Sequence, residues 1–307
     1  MSKFCIVGNG FDISHGLQSR YSDFLQYVCD YHHDMFHRIG AMFGEGNPSF
    51  LWQDFENNLI NFSVNRSIMN NVRRLINHAR QNQGRALDLY TSLENACDGL
   101  FNDIGLLFRE WIHDTLVNRN VERKYELSNE DYYLTFNYTN ILEATYNIPS
   151  AHICHIHHNL CNNDGIMPVF GHGTLEEDIE DRVSFDENAT NEIIACGANP
   201  ENIKDVYISL LKDFKKKTEE GMEMLTGFIH DINNDNVEEV LILGHSMGDS
   251  DKAYFDLLAE RITPQTPISI SYYNEQERHS LFQKVENIFH YPDRINTARI
   301  ETLLHHA

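Results

Sequence analysis

Basic residues are scarce in this 307-residue chain. Its 24 Lys and Arg stand against 46 Asp and Glu, for a formal net charge of -22. A face that tracks a phosphate backbone needs clustered Lys and Arg. Direct binding of nucleic acid, or of an anionic membrane surface, is therefore not expected. The one dense basic run, Lys212 to Lys217, lies in a helical pattern beside Glu219 and Glu220, and reads as a solvated helix face. Paired cysteines are missing as well. Cys5, Cys29, Cys97, Cys154, Cys161 and Cys196 are scattered, and none forms a Cys-x-x-Cys. That pattern suits reduced thiols in a cytoplasmic protein. No stretch approaches the roughly 20 apolar residues that span a bilayer, and the start, Met-Ser-Lys-Phe, lacks a secretory pattern. Internal repeats and low-complexity linkers are absent too.

What is present is a globular composition, 41% hydrophobic with 18 Phe and 14 Tyr. The chain opens on an apolar strand, Lys3-Phe4-Cys5-Ile6-Val7, that runs into Gly8-Asn9-Gly10-Phe11-Asp12. Nucleotide-binding α/β domains begin this way, with a buried strand and then a turn where a side chain would be in the way. Helical spacing dominates from about 20 to 125, including a long pattern over 86–117, and reads as a helical layer inserted after the first βα unit. Strands are then expected at 131–136, 152–157, 167–170, 239–243 and 268–273. Helices are expected over 203–232, 251–262 and 275–288, and Thr139 or Asn140 is placed to cap a short one at 141–146. The acidic stretch 174–200 has no clear period and reads as a mobile loop or lid. This alternation predicts one α/β domain over 1–307: a doubly wound, mostly parallel sheet with helices on both faces and a large helical insertion at 20–125.

In such a sheet, ligands sit at the carboxyl ends of the strands, and that is where the unusual residues gather. The first strand ends in Gly8-Asn9-Gly10-Phe11-Asp12 and the second in Asn137. The third ends in His155 and His157, the fourth in Gly171-His172-Gly173, and the fifth in Gly244-His245-Ser246. Each has a bland reading, as a tight turn, a turn-capping amide or a packed histidine; their joint placement favours a pocket. Two other readings use the same residues. Gly244-His245-Ser246-Met247-Gly248 fits the Gly-x-Ser-x-Gly nucleophile elbow, with Asp293 and His305 or His306 (or the nearer His279 and His290) downstream of Ser246. Only one convincing strand follows it, against the usual two. His152, Cys154, His155, His157, His158 and Cys161 are dense enough for a metal, but no His-Glu-x-x-His or paired-cysteine spacing supports one.

The run Gly8-Asn9-Gly10-Phe11-Asp12-Ile13-Ser14-His15-Gly16-Leu17 resembles the opening of the AbiH-type phage abortive-infection family, which in turn resembles the sirtuin fold. Thr135-Phe136-Asn137-Tyr138-Thr139 is similar to the sirtuin Thr-Gln-Asn-Ile-Asp. Ile156-His157-His158 is similar to its Leu-His-Gly, and Gly244-His245-Ser246, followed by Asp251, to its late Gly-x-Ser loop. The match covers roughly 1–20 and 130–275. It implies an anti-phage effector that binds NAD and hydrolyses the nicotinamide–ribose bond, with Asn137 and His157 catalytic. A neutral imidazole suits proton acceptance there. Backbone N–H groups of the Gly8–Gly10 turn would hold the pyrophosphate, and Asn9, Phe11 and Asp12 are further cofactor-binding residues that the resemblance implies. Gly244, His245, Ser246 and Asp251 would hold the adenosine half. Asp12 stands where the pattern has Ser, which brings a carboxylate near the expected phosphates. The missing Cys-x-x-Cys pairs favour NAD hydrolysis over protein deacylation. A phage-derived trigger or partner protein and a homo-oligomer are further expectations. The alternatives are a serine hydrolase using Ser246 and a nucleotide-binding module without turnover.

Overall fold

The computed structural model describes residues 2–43, 55–61, 64–81, 89–117, 119–161, 165–232 and 237–305. The chain divides into two compact units. The first, residues 1–20, 109–169 and 217–307, contains a six-stranded sheet. Its strands are β1 (Ser2–Val7), β2 (Tyr132–Thr135), β3 (Ile153–His155), β4 (Val237–Leu243), β5 (Ile268–Tyr272) and β6 (Ile295–Arg299). Every pairing is parallel, in the order β3-β2-β1-β4-β5-β6.

β1 and β4 read as continuous apolar runs because both of their faces are covered. Phe4 to Val7 and Val240 to Leu243 are all buried. Phe4, Ile6, Leu134, Val240 and Ile242 join Phe255, Leu258 and Val285 in one apolar cluster. The register sets the strand ends level. Val7 pairs with Thr135 on one side and Leu243 on the other, and Thr135 pairs with His155. The loops that follow β1, β2, β3 and β4 therefore leave the sheet side by side. The order reverses between β1 and β4, which is where open parallel sheets form a ligand crevice.

Several sequence expectations change here. β3 stops at His155, and Ile156 and His157 lie in a turn. The strand expected at 167–170 is absent from the described residues, where that segment is irregular. β6 went unread because it is a half-exposed edge, Ile-Asn-Thr-Ala-Arg, without an apolar run. The helix expected over 86–117 is two, Leu89–Cys97 and Leu100–Thr115, interrupted at Gly99 with φ 66°. The pattern over 203–232 is likewise two helices, Pro200–Asp213 and Glu219–Asp231.

The second unit comprises residues 21–108 and 170–216, so it draws on chain that follows β3 as well as β1. Its regular elements among the described residues are helices, with one isolated parallel bridge between His172 and Lys215. The acidic stretch read as a lid forms two helices, Glu176–Arg182 and Glu187–Ala195. Asp186 caps the second by accepting the Ala189 N–H at 2.8 Å, and Asn199 with Pro200 opens the next helix. Few apolar residues fix these short helices, chiefly Ile179, Ala189 and Ile193, so no period showed.

The basic run is not simply a solvated face. Lys216 is buried, with its Nζ 3.0 and 3.2 Å from the two Glu56 carboxylate oxygens, and Tyr21 donates its hydroxyl to the same carboxylate at 3.0 Å. Removing one partner of a buried pair leaves a charge uncompensated. Lys216→Met is expected to destabilise the protein by about 3–5 kcal/mol in urea unfolding. Lys216→Met with Glu56→Leu should recover much of that loss.

Candidate functional site

The end of β1 is fastened to the end of β4 by backbone. Gly8 N–H donates to Leu243 C=O at 2.9 Å, and Gly10 N–H donates to Gly244 C=O at 2.8 Å. A Cβ on Gly10 would lie 2.8 Å from the Gly244 Cα. One on Gly244 would overlap the Phe11 amide nitrogen, and Gly244 holds φ 66°. The glycines thus allow two loops to touch. The Gly8 and Gly10 N–H groups both donate to carbonyls of this junction. Asn9 turns to the following loop, donating to Ser19 C=O at 2.8 Å and accepting the Ser19 hydroxyl at 2.5 Å. Phe11 is fully buried against His15, Tyr125 and Tyr146.

Asp12 is 1% exposed and faces β2. Its carboxylate accepts the Asn137 Nδ2–H at 2.7 Å and the Thr139 hydroxyl at 2.6 Å. Thr139 is therefore a carboxylate partner and makes no helix cap; the short helix Ile141–Ala144 has no side-chain cap bond. Burial raises the Asp12 carboxyl to about 6, and the two hydrogen bonds and nearby His155 only partly offset it. Asn137 also donates to Gly8 C=O at 3.1 Å. Both amide hydrogens are thus committed. Asn137 Oδ1 is buried and has no hydrogen-bond partner among the described residues.

The histidines after β2 go to separate partners. His157 Nδ1 lies 3.2 Å from Phe136 C=O, so that nitrogen carries a hydrogen. Its Nε2 lies 3.5 Å from Asp251 Oδ1, and the other Asp251 oxygen lies 3.5 Å from His245 Nε2. His245 Nδ1 accepts the Met247 N–H at 2.9 Å, which puts its own hydrogen on Nε2. Asp251 therefore bridges two buried rings. His155, at the end of β3, meets Glu143 instead, Nε2 to Oε1 at 2.7 Å. That contact, with help from Asn159, holds the half-buried Glu143 carboxyl below its ordinary range despite burial. Among the described residues, no group of three or more His, Cys, Asp or Glu is arranged to hold a metal ion.

An open cavity of about 870 Å³ lies over the ends of β1, β4, β5 and β6. Gly10, Gly244, His245 and Ser246 line it, together with three cations that the sequence reading missed: Arg20, Lys284 and Arg299. Lys284 Nζ donates to Ser246 C=O at 2.8 Å, and Arg299 donates to Tyr273 C=O at 2.8 Å. Tyr273 is 77% exposed at the rim, and Glu277 and Glu301 add acids. Ser246 is exposed, but no imidazole or carboxylate among the described residues hydrogen-bonds its hydroxyl. Two strands, β5 and β6, follow it rather than one. Asp293 and His279 are exposed, and His306 lies outside the described residues.

The family model described as bacteriophage abortive infection AbiH matches residues 4–272, from β1 through the last residue of β5. The chain belongs to the AbiH family. Searches of the curated proteins and of the solved structures found no match. The AbiH match contains every residue singled out at the ends of β1 to β4, whereas Lys284 and Arg299 lie beyond it. No helix among the described residues is long and apolar enough to cross a membrane.

The structure thus brings Gly10, Gly244, His245 and Ser246 to one cavity. It places Asp12 with Asn137 in a buried cluster, and His157 with Asp251 beside His245. No sequence pattern announces Thr139 or Glu143, because their partners are 127 and 12 residues away. Asp12 makes stability depend on pH. Its folded value is raised, so its neutral form stabilises fully below about pH 4, and this is lost as pH rises through about 6. From pH 4 to 7, wild type should lose up to about 3 kcal/mol relative to Asp12→Asn. Thermal unfolding of both proteins across that range reads the difference.

Proposed function

We propose that this AbiH-family protein is a nucleotide-dependent effector of abortive infection, with a sirtuin-like sheet, that takes NAD and hydrolyses its nicotinamide–ribose bond. The observation that carries the reading is the state of Asn137. Asp12 and the Gly8 carbonyl fix its amide, and the remaining oxygen is a buried acceptor without a partner among the described residues. A sugar hydroxyl or a water supplies the missing donor. The strand order and the cavity at its reversal point support a nucleotide. Arg20, Lys284 and Arg299 would meet its phosphates, and the exposed Tyr273 ring would stack on its base.

The chemistry balances simply. The bond from the anomeric carbon to the nicotinamide nitrogen breaks, and its electron pair stays with the ring. Water adds its oxygen to the carbon, and one proton is released. The products are nicotinamide and ADP-ribose. Asn137 orients the sugar without adding charge, and a strand-end histidine takes the proton, His157 according to the resemblance. Such an enzyme would drain its host if always active, so a phage-derived trigger is part of the proposal.

A second reading, nucleotide binding without turnover, is favoured by the burial of His157, whose two ring nitrogens face Phe136 C=O and Asp251. Purified protein, assayed alone and with phage-infected lysate, should release nicotinamide from NAD. Asn137→Ala should lower the rate by at least about 100-fold, the cost of a misplaced substrate. Binding of NAD without release would favour the second reading. Full activity in Asn137→Ala would overturn the assignment of this residue.

A further inference from the structure

Around the ends of β1, β2 and β3 lies a polar cluster made of Asp12, Asn137, Thr139, Glu143, His155 and Asn159. Three of its buried atoms have no hydrogen-bond partner among the described residues: Asn137 Oδ1, His155 Nδ1 and Glu143 Oε2. Buried polar atoms left this way cost free energy unless a ligand or water completes them. With the His155 ring neutral, all three are acceptors. The amide oxygen and the carboxylate oxygen accept by nature. His155 gives its Nε2 hydrogen to Glu143 at 2.7 Å, which leaves a lone pair on Nδ1 in the neutral ring.

We infer that Glu143 and His155 form a proton-accepting pair that takes a sugar hydroxyl of the ligand on His155 Nδ1. The inference rests on the nucleotide reading above and moves the reactive imidazole from His157 to His155. Open acceptors at these strand ends call for donors, and the Asp12 carboxylate bonded to Asn137 disfavours an anion. A ribose diol supplies neutral donors, whereas a phosphate supplies none at neutral pH. The cations lie elsewhere, over β4 to β6. A nucleotide would thus lie with phosphates over β4–β6 and the reacting sugar over β1–β3. His157 is less well placed to meet a ligand, because it is 4% exposed, its Nδ1 donates to the Phe136 carbonyl and its Nε2 faces Asp251.

The step is a plain proton transfer. The hydroxyl proton moves to His155 Nδ1, and the oxygen keeps the bonding pair. The imidazolium so formed is held by Glu143 at Nε2. The charged and titratable groups facing His155 are Glu143, from the helix after β2, and Asp12, from the helix after β1; the Cys161 thiol, from the loop after β3, lies close to both of these acids. Glu143 is a positioning residue.

The test uses the full chain labelled with ¹⁵N-histidine, with His155 assigned by the signal lost in His155→Gln. At pH 8 the ring should carry its hydrogen on Nε2, and ADP-ribose should shift the Nδ1 resonance while ADP should not. Glu143→Gln should free the ring from the single Nε2–H tautomer, read as averaged ¹⁵N ring shifts, and should lower nicotinamide release with it. If wild type releases no nicotinamide but ADP-ribose shifts Nδ1, the sugar site stands and NAD hydrolysis falls. A hydrogen on Nδ1 at pH 8, an unmoved Nδ1 with ADP-ribose, or full turnover by His155→Gln overturns the inference.

Discussion

Two backbone hydrogen bonds, Gly8 N–H to Leu243 C=O and Gly10 N–H to Gly244 C=O, hold the ends of β1 and β4 together, and the whole strand-end arrangement depends on that contact. It is possible only without side chains at the touching points, since a Cβ on Gly10 or Gly244 would meet backbone atoms. Once the two loops are joined, Asp12 is carried under Asn137, and His245 is carried to Asp251. The cavity wall of Gly10, Gly244 and Ser246 is set by the same junction. A sequence feature usually read as a phosphate cradle is here first a device for close approach.

The junction separates two chemical environments. Toward β2 and β3 the groups are buried acids, amides and imidazoles, with unpartnered acceptor atoms. Toward β5 and β6 they are cations, tyrosines and serines around an open space. Burial raises the Asp12 carboxyl, while a close imidazole lowers that of Glu143, so two carboxylates of one cluster are held apart in proton affinity. Acid–base sites are built in this way. Under the proposed reading, the asymmetry would give a nucleotide a direction across the sheet, which a glycine motif alone does not.

The catalytic proposal narrows to which imidazole has a nitrogen to offer. His157 sits where the resemblance puts the reactive histidine, but its ring is 4% exposed and set between a carbonyl and Asp251. His155 is oriented by one carboxylate, and its Nδ1 has no hydrogen-bond partner among the described residues. The distinction follows from β3 ending at His155, because the turn that begins there sends the two rings to different neighbours. Alternating strand geometry had put them on one face.

The sequence by itself determined the α/β class, the strands β1, β2, β4 and β5, the family, and the gathering of Asn137, His155, His157 and Ser246 at strand ends. Those features rest on local signals: apolar runs, the turn residues after them, and short motifs. Only the tertiary structure decided the pairings that give those residues their character, Asp12 with Asn137 and Thr139, Asp251 with two histidines, Glu143 with His155, and Lys216 with Glu56. It also decided the half-exposed edge strand β6 and the short helices over 176–195. Such partners lie as far apart as 160 residues in the chain, and a hydrogen bond or ion pair of that span leaves no period or spacing to read.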